Sequence, residues 1–161
     1  MGSPTLPPNP TPFVAPRLYN ARQAIDLTML CLVLGREAGN QPLAGIEAVA
    51  CSIRNRVTAG LRRWGQGWEG VIGARWQYSS VNGPGADPNL LKYPNLAFAP
   101  WATCLDVAER TISGELADPT RGSHSYFDKS LDENPPTWAT DGEFIHTIDI
   151  ADFHFFRLAT I

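Results

Sequence analysis

The chain has 161 residues, of which 43% are hydrophobic and 18% are charged, a composition ordinary for a globular protein with one hydrophobic core. The formal net charge of −3 excludes the strong basic field typical of nucleic-acid-binding proteins, so we expect no nucleic-acid partner. No apolar run reaches the roughly 18 residues that a membrane-spanning helix needs, which predicts no integral membrane segment.

The N-terminal segment is rich in proline, with six prolines in residues 1 to 17. Proline fixes the backbone and removes a hydrogen-bond donor, so this composition predicts an extended, flexible arm over residues 1 to 19. The arm has neither a charged n-region nor an apolar h-region, so no Sec-type export signal is visible. Residues 20 to 161 are then predicted to form a single domain.

Two long helices are predicted after the arm. Asn20 is a suitable N-cap, and residues 21 to 34 are rich in helix formers, with an apolar stretch at their end that favours a buried position. Gly39 ends this segment, and Pro42 begins a second helix in which apolar residues recur at helical spacing. Residues 29 to 34 are apolar on nearly every side, which places the first helix at the centre of the domain.

The rest of the chain predicts two shorter helices and a small sheet. Helices are expected over residues 68 to 72 and 100 to 112, separated by a long loop rich in Gly, Pro and Asn over residues 79 to 95. The stretch "SHSYF" alternates like a short strand, and "EFIHTIDIADFHFFR" reads as one or two strands. The pattern predicts an α+β fold, mainly helical, with a small antiparallel β-sheet.

Glu37 is a carboxylate at the end of an almost wholly apolar run. At the C-terminal end of a buried helix, the helix dipole and the apolar neighbours both disfavour the ionised form. A carboxyl group that keeps its proton is suited to general-acid catalysis on a glycosidic oxygen. Spacing alone also allows a surface ion pair with Arg36 or Arg54, so both interpretations stay open here.

Two short segments combine flat rings with hydrogen-bonding groups. They are "WQYSS", residues 76 to 80, and "SHSYF", residues 123 to 127. Clefts that bind sugars use this mixture, because rings pack on the apolar faces of pyranoses while polar groups bind the hydroxyls. Core aromatic residues with satisfied hydroxyls would give the same pattern.

The histidines do not form a recognisable metal motif. His146 and His154 are eight residues apart and would share a face only if one regular strand spanned both, and no HExxH pair occurs. We therefore predict no metal site and no cofactor. The three cysteines lie among apolar neighbours in helical segments and are interpreted as buried free thiols: Cys31, Cys51 and Cys104.

Several blocks, in order, resemble the SleB/CwlJ-type cell wall hydrolase family. The first is "REAGNQPLAGIEAVACSIRNRV", with a Glu-Ala pair, a turn with Pro, and a helix of the form Gly-x-x-Ala-Val-Ala that ends in Asn-Arg-Val. The second is "WQYSS", similar to a Gln-Phe-Ser segment, and the third is "DPTRGSHSYFD". The closing "FHFF" resembles a His-x-Phe ending. Together they cover roughly residues 22 to 156.

This resemblance implies a lysozyme-like catalytic domain whose partners are peptidoglycan glycan strands. Better-understood members act as lytic transglycosylases that need no cofactor, and by position their catalytic glutamate falls on Glu37. Within this hypothesis, Gln77, Ser79 and Tyr126 are expected to contact the substrate. His124 is expected to bind the sugar or to orient Glu37.

The residues leave two other functions open. One is an N-acetylmuramidase that uses water as nucleophile, with a second acid from Glu47 or from a loop aspartate. For the loop aspartates, turn formation is the simpler role: Asp87, Asp118 and Asp128. The other is a non-catalytic peptidoglycan-binding module, for which the proline-rich arm would be a tether.

The resemblance also predicts where the protein acts. A peptidoglycan substrate implies the periplasm or cell wall as the place of action. Because no signal peptide is visible, we expect cytoplasmic synthesis and delivery by a phage-type or other non-Sec route. Gln41, where many relatives have an acidic residue, and Tyr78, where Phe is usual, are departures from the family pattern.

Overall fold

The structure is a computed structural model that describes residues 19–75, 77–78 and 100–161. The predicted proline-rich arm, apart from its last residue, Tyr19, lies outside this range. The predicted long loop over residues 79 to 95 lies outside it as well, and so does Ser79.

Five α-helices and two short 3-10 turns lie in the described part of the chain. The helices are α1 (Ala21–Glu37), α2 (Leu43–Ala59), α3 (Gly67–Ile72), α4 (Trp101–Ile112) and α5 (Thr137–Thr140), and the turns are Arg62–Trp64 and Lys129–Leu131. The first four helices confirm the sequence predictions, although α1 runs to Glu37 rather than residue 34. The N-cap is also confirmed, because Asn20 and Gln23 form a reciprocal capping box.

A three-stranded antiparallel sheet completes the fold. Its strands are β1 (Ser125–Asp128), β2 (Phe144–Ile150) and β3 (Phe153–Leu158), in the spatial order β1-β3-β2. The central strand β3 carries the aromatic run "FHFFRL" and is buried at four of its six residues. The α+β class and the small antiparallel sheet are therefore confirmed.

The hydrophobic core lies where α1, α2, α3 and α4 meet one face of the sheet. The apolar end of α1 contributes fully buried side chains, as predicted, and Phe155 of β3 is buried against the same cluster. The cysteines are free and buried, which confirms their interpretation, and burial raises the pKa of Cys31 and Cys51 to about 12 and of Cys104 to about 11. None of the helices described is long and apolar enough to cross a membrane.

The polar side of α2 faces the protein rather than solvent. Ser52 and Arg56 are buried, and Asn55 donates to Asp118 Oδ2 at 3.0 Å and to the Ser123 carbonyl at 2.9 Å. These bonds hold the segment that leads into β1 against α2. The position of β1, and of the side chains on it, is therefore set by polar contacts with this helix.

Gly45 allows the start of α2 to approach the β2–β3 turn. A Cβ atom at this position would lie 2.9 Å from the Gln41 Cβ and 3.1 Å from the Ala151 Cβ, closer than ordinary contacts. Gln41 Nε2 in turn donates to Asp152 Oδ2 at 3.2 Å. The segment after α1 and the start of α2 therefore contact the β2–β3 turn of the sheet.

Candidate active site

Glu37 is the last residue of α1, and its side chain lines a pocket of about 380 Å³. The residue is partly buried, and its Oε2 accepts a hydrogen bond of 3.0 Å from the Tyr126 hydroxyl. Arg54, one of the ion-pair partners that the sequence left open, instead donates to the Leu116 carbonyl at 2.6 Å. The helix end thus presents a carboxyl group to a cavity, where a tyrosine fixes one of its oxygens.

Tyr126 is held in place by the sheet. It lies on β1, and its ring packs on Phe153 at 5.1 Å and on Phe155 at 5.6 Å between ring centroids. Burial, and then the negative charge of Glu37, raise the pKa of Tyr126 well above its ordinary value. The phenol therefore keeps its proton and serves as a hydrogen-bond donor to Glu37.

Arg56 connects α2 to the two segments that combine rings with polar groups, "WQYSS" and "SHSYF". It is buried, and it donates from Nη1 to Gln77 Oε1 at 2.8 Å and from Nη2 to Ser125 Oγ at 3.1 Å. Its Nε donates to the His124 carbonyl. In the sequence, Arg56 belongs to the Asn-Arg-Val end of a family block and was given no role. The overlooked signal was a charged residue on the inner side of a helix.

Gln77 and Tyr78 line the same pocket as Glu37. Because Arg56 binds the Gln77 carbonyl oxygen, the amide nitrogen is the group that Gln77 can offer to another acceptor. Tyr78 is buried, and burial raises its pKa. Its hydroxyl makes no hydrogen bond of normal geometry among the residues that the structure describes, and the nearby Arg56 opposes the effect of burial on its pKa.

Aromatic rings form the walls of this pocket. A smaller cavity of about 220 Å³ adjoins it, and the two share Arg56, Gln77, Tyr126 and Trp138. We call the two together the Glu37 groove. Trp138, on the short helix α5, was not predicted as a site residue, and it packs edge-on against Phe127 at 6.1 Å. A groove walled by rings, with polar groups at its base, is suited to bind a sugar chain.

Asp128 is the second carboxylate that lines the Glu37 groove within the described residues. Its Oδ1 accepts from the Ser130 backbone N–H at 2.8 Å, and the hydrogen bonds from Ser130 lower the pKa of Asp128 below its ordinary value. Glu47 is instead ion-paired with Arg110 at 2.7 Å, outside the groove. Asp128 therefore lies in the same groove as Glu37, and its lowered pKa keeps it ionised at neutral pH.

Asp118 has the turn-forming role that its loop position suggested. Its carboxylate accepts from the backbone and hydroxyl of Thr120, from Gly122 N and from Asn55 Nδ2, all within 3.0 Å. It does not line the Glu37 groove. Asp87 lies outside the described residues.

The His124 side chain does not line the Glu37 groove, but lies behind Trp64 of the smaller cavity. Its ring stacks on Trp64, with 4.8 Å between centroids, and its Nδ1 accepts from the Leu158 backbone N–H at 3.4 Å. It lines a different pocket, with Asn55 and Arg157. Burial, together with the positive charges of Arg56 and Arg157, lowers the pKa of His124 to about 4.

Of the residues predicted from the sequence, the structure brings together Glu37, Gln77 and Tyr126. The ring of His124 does not join them, although its backbone carbonyl accepts from Arg56. Ser79 lies outside the described residues.

The sequence model of the cell wall hydrolase family matches residues 40–156. The chain belongs to the cell wall hydrolase family. The match covers the Gly-x-x-Ala-Val-Ala helix, β1 and the closing strands, and it begins just after Glu37. No match was found among curated proteins.

Two solved structures share the fold of this chain. The catalytic domain of the germination-specific lytic transglycosylase SleB from Bacillus anthracis is 24% identical, with a TM-score of 0.63 over 89% of this chain and 100% of that one. The catalytic domain of the Bacillus cereus SleB protein is 23% identical, with a TM-score of 0.62 over 88% of this chain and 94% of that one. At this identity, the likeness shows a common fold.

The other two histidines of this cell wall hydrolase, His146 and His154, lie close together. From their spacing, His146 and His154 were expected to share a face only if one regular strand carried both. This expectation is wrong, because the two histidines lie on the adjacent strands β2 and β3, with their ring centroids 6.0 Å apart. Together with Asp149 they form a group that could hold a metal ion.

Proposed function

We propose that this chain cleaves peptidoglycan glycan strands between MurNAc and GlcNAc as a lytic transglycosylase, with Glu37 as its single acid and base. The observation that carries the proposal is the placement of the Glu37 carboxyl group in a groove with aromatic walls, where a protonated Tyr126 donates to it. Membership of the cell wall hydrolase family, and a fold shared with a lytic transglycosylase catalytic domain, support the substrate class.

In the first step, Glu37 gives its proton to the oxygen of the glycosidic bond. Because Tyr126 donates to Oε2, we place the transferred proton on Oε1. The bond between MurNAc C1 and the leaving oxygen then breaks, and the N-acetyl group of MurNAc stabilises the developing positive charge. Tyr126 is in this account a positioning residue, which holds the carboxyl group in one orientation.

In the second step, the Glu37 carboxylate takes the proton from the 6-hydroxyl of the same MurNAc. The hydroxyl oxygen closes on C1 and leaves a 1,6-anhydro end, while Glu37 returns to its protonated form. The nucleophile belongs to the substrate, so its attack is intramolecular and carries a small entropic cost. One carboxyl group is sufficient for this sequence, whereas hydrolysis commonly uses two.

The groove supplies groups that suit a disaccharide unit. The Gln77 amide nitrogen is oriented by Arg56 and is a candidate donor to an N-acetyl or hydroxyl oxygen. Trp138 and Phe127 provide flat apolar surfaces for pyranose rings. We keep Ser79 and His124 as proposed substrate contacts from the family resemblance, with His124 the weaker one because its ring lines another pocket.

A hydrolytic N-acetylmuramidase is the second candidate, and one observation favours it. Asp128 lines the same groove as Glu37 and is ionised. In an inverting or retaining mechanism it would activate water or stabilise the cation, and the product would be a reducing MurNAc end.

A peptidoglycan substrate places the activity in the periplasm or cell wall. The family membership is consistent with that location. We propose that residues 20 to 161 act as the catalytic domain and that residues 1 to 19 tether it, with delivery by a phage-type or other non-Sec route.

Digestion of purified peptidoglycan sacculi tests whether the chain is an enzyme of this class. The unmodified protein should release soluble muropeptides, and Glu37→Gln should release none while still sedimenting with the sacculi. Glu69→Gln is the matched control, since it makes the same change on α3, at an exposed carboxylate outside the groove. Equal release by Glu37→Gln would overturn the proposal, and binding without release by the unmodified protein would favour a non-catalytic module.

A further inference from the structure

The β2–β3 hairpin gathers three side chains with metal-binding atoms. His146 Nε2 lies 2.6 Å from Asp149 Oδ1, and His154 Nδ1 lies 2.7 Å from the same oxygen. One ligand atom from each of the three residues can be chosen so that all lie within 4.8 Å of one another. Two imidazoles and a carboxylate thus point at one small volume.

A bulge in β2 creates this arrangement. His146 pairs with Phe156, and Ile148 pairs with Phe155, so Thr147 is an extra residue in β2. Without it, Ile148 would face His154 across the ladder, whereas the bulge brings Asp149 to that position. The irregularity therefore puts a carboxylate, in place of an apolar side chain, on the face that both histidines share.

A fourth group completes the pattern. Asp132 Oδ1 lies 2.8 Å from His154 Nε2, on the side of the ring opposite Asp149. Histidines that bind metals commonly donate their other ring N–H to a carboxylate, which fixes the tautomer and orients the ring. With the proton on Nε2, the lone pair of His154 Nδ1 faces the shared volume.

We propose that His146 Nε2, Asp149 Oδ1 and His154 Nδ1 bind one divalent transition-metal ion of the Zn²⁺ class, with Asp132 as the outer carboxylate. Two imidazole nitrogens with one carboxylate oxygen suit Zn²⁺ and its neighbours, while Mg²⁺ and Ca²⁺ require mostly oxygen ligands. The two carboxylates balance the charge of the ion. His146 and Asp149 are exposed, so water can complete the coordination.

This ion would have a structural role. None of its three ligands lines the Glu37 groove, so the glycan chemistry does not pass through it. Asp132 directly follows the Lys129–Leu131 turn, in the segment that leads to Trp138 of the groove wall. An ion on His154 would strengthen the hydrogen bond between His154 and Asp132, and would so stabilise the segment that carries Trp138.

Isothermal titration with Zn²⁺ tests the proposal on the intact chain. We expect saturable binding of one ion, at least tenfold weaker binding in His146→Gln and in Asp149→Asn, and no comparable binding of Mg²⁺. Asp106→Asn, which removes an exposed carboxylate on α4, is the matched control and should bind Zn²⁺ like the unmodified chain. Asp132→Asn should weaken binding by about 10- to 100-fold, as changes to outer-shell partners do.

A spectroscopic measurement on the unmodified protein tests the proposal without variants, which could fold poorly. Co²⁺ bound by two imidazoles and a carboxylate in the unmodified protein should give a visible d–d absorption band, and Zn²⁺ should displace it. The absence of saturable Zn²⁺ binding, or binding unchanged in both His146→Gln and Asp149→Asn, would overturn the proposal. The cluster would then be an ion-paired His–Asp network without a metal.

Discussion

The buried His124 predicts that the stability of the fold depends on pH in a specific window. In the folded chain its Nδ1 accepts from Leu158 N, its ring stacks on Trp64, and Arg56 and Arg157 add positive charge nearby. Burial first, and then the charges of Arg56 and Arg157, favour the neutral ring, and the hydrogen bond that Nδ1 accepts requires this nitrogen to carry no proton. The folded pKa is about 4, against about 6.5 for an ordinary histidine, so the unfolded chain takes up the proton first as the pH falls.

The direction and the size of the change in folding stability follow from the linkage between proton binding and folding. Stability from the neutral ring is fully present above pH 6.5, is lost as the pH falls, and reaches its full loss below about pH 4. At pH 5, these two pKa values give a loss of about 2 kcal/mol, and the limit at lower pH is about 3 kcal/mol. In His124→Gln this contribution is absent.

Urea unfolding at pH 7.5 and pH 5 measures the effect in both proteins. The free energy of unfolding of the unmodified chain should fall between these pH values by about 2 kcal/mol more than that of His124→Gln. Groups common to both proteins, such as His154 and the carboxylates, cancel in the comparison. Equal losses would refute the argument that burial keeps the His124 ring neutral in the folded chain.

Three further predictions concern the Glu37 groove. Tyr126→Phe removes the hydrogen bond to Glu37, so kcat on sacculi should fall by about 10- to 100-fold while KM stays nearly unchanged. An unchanged kcat would contradict the positioning role of Tyr126. Asp128→Asn should keep the products and most of the rate if Glu37 acts alone, whereas loss of cleavage would indicate a hydrolytic pair. Tyr78→Phe removes a buried hydroxyl that makes no hydrogen bond of normal geometry in the described part of the chain, so the free energy of unfolding should rise by about 1 to 2 kcal/mol. Destabilisation would show that the hydroxyl is bonded to the nearby Arg56.

Local signals were sufficient to predict most of the fold. The Asn20 cap, the apolar end of α1 and the aromatic run of β3 each depend on neighbours a few residues away, and these predictions were confirmed. The 3-10 turn at Arg62–Trp64 and the short helix α5 were missed. Each is too short to show a helical period, and each is set by packing against distant residues.

The site was predictable only in part, for a related reason. The position of Glu37 at a helix end and the aromatic segment around Tyr126 could be found in the sequence, but the contact between them joins residues 89 positions apart. Arg56 was interpreted by its place in a motif, although its helical spacing from the buried residues Val49 and Ile53 puts it on the inner side of α2. The histidine cluster depends on a one-residue bulge in β2, which alternation patterns do not reveal.

The most direct test of the central claim is mass spectrometry of the soluble products that the unmodified chain and Glu37→Gln release from purified sacculi. We predict 1,6-anhydro-MurNAc ends from the unmodified chain, in the presence or absence of chelator, and none from Glu37→Gln. Reducing MurNAc ends, or anhydro ends that Glu37→Gln still produces, would contradict an intramolecular reaction that depends on Glu37.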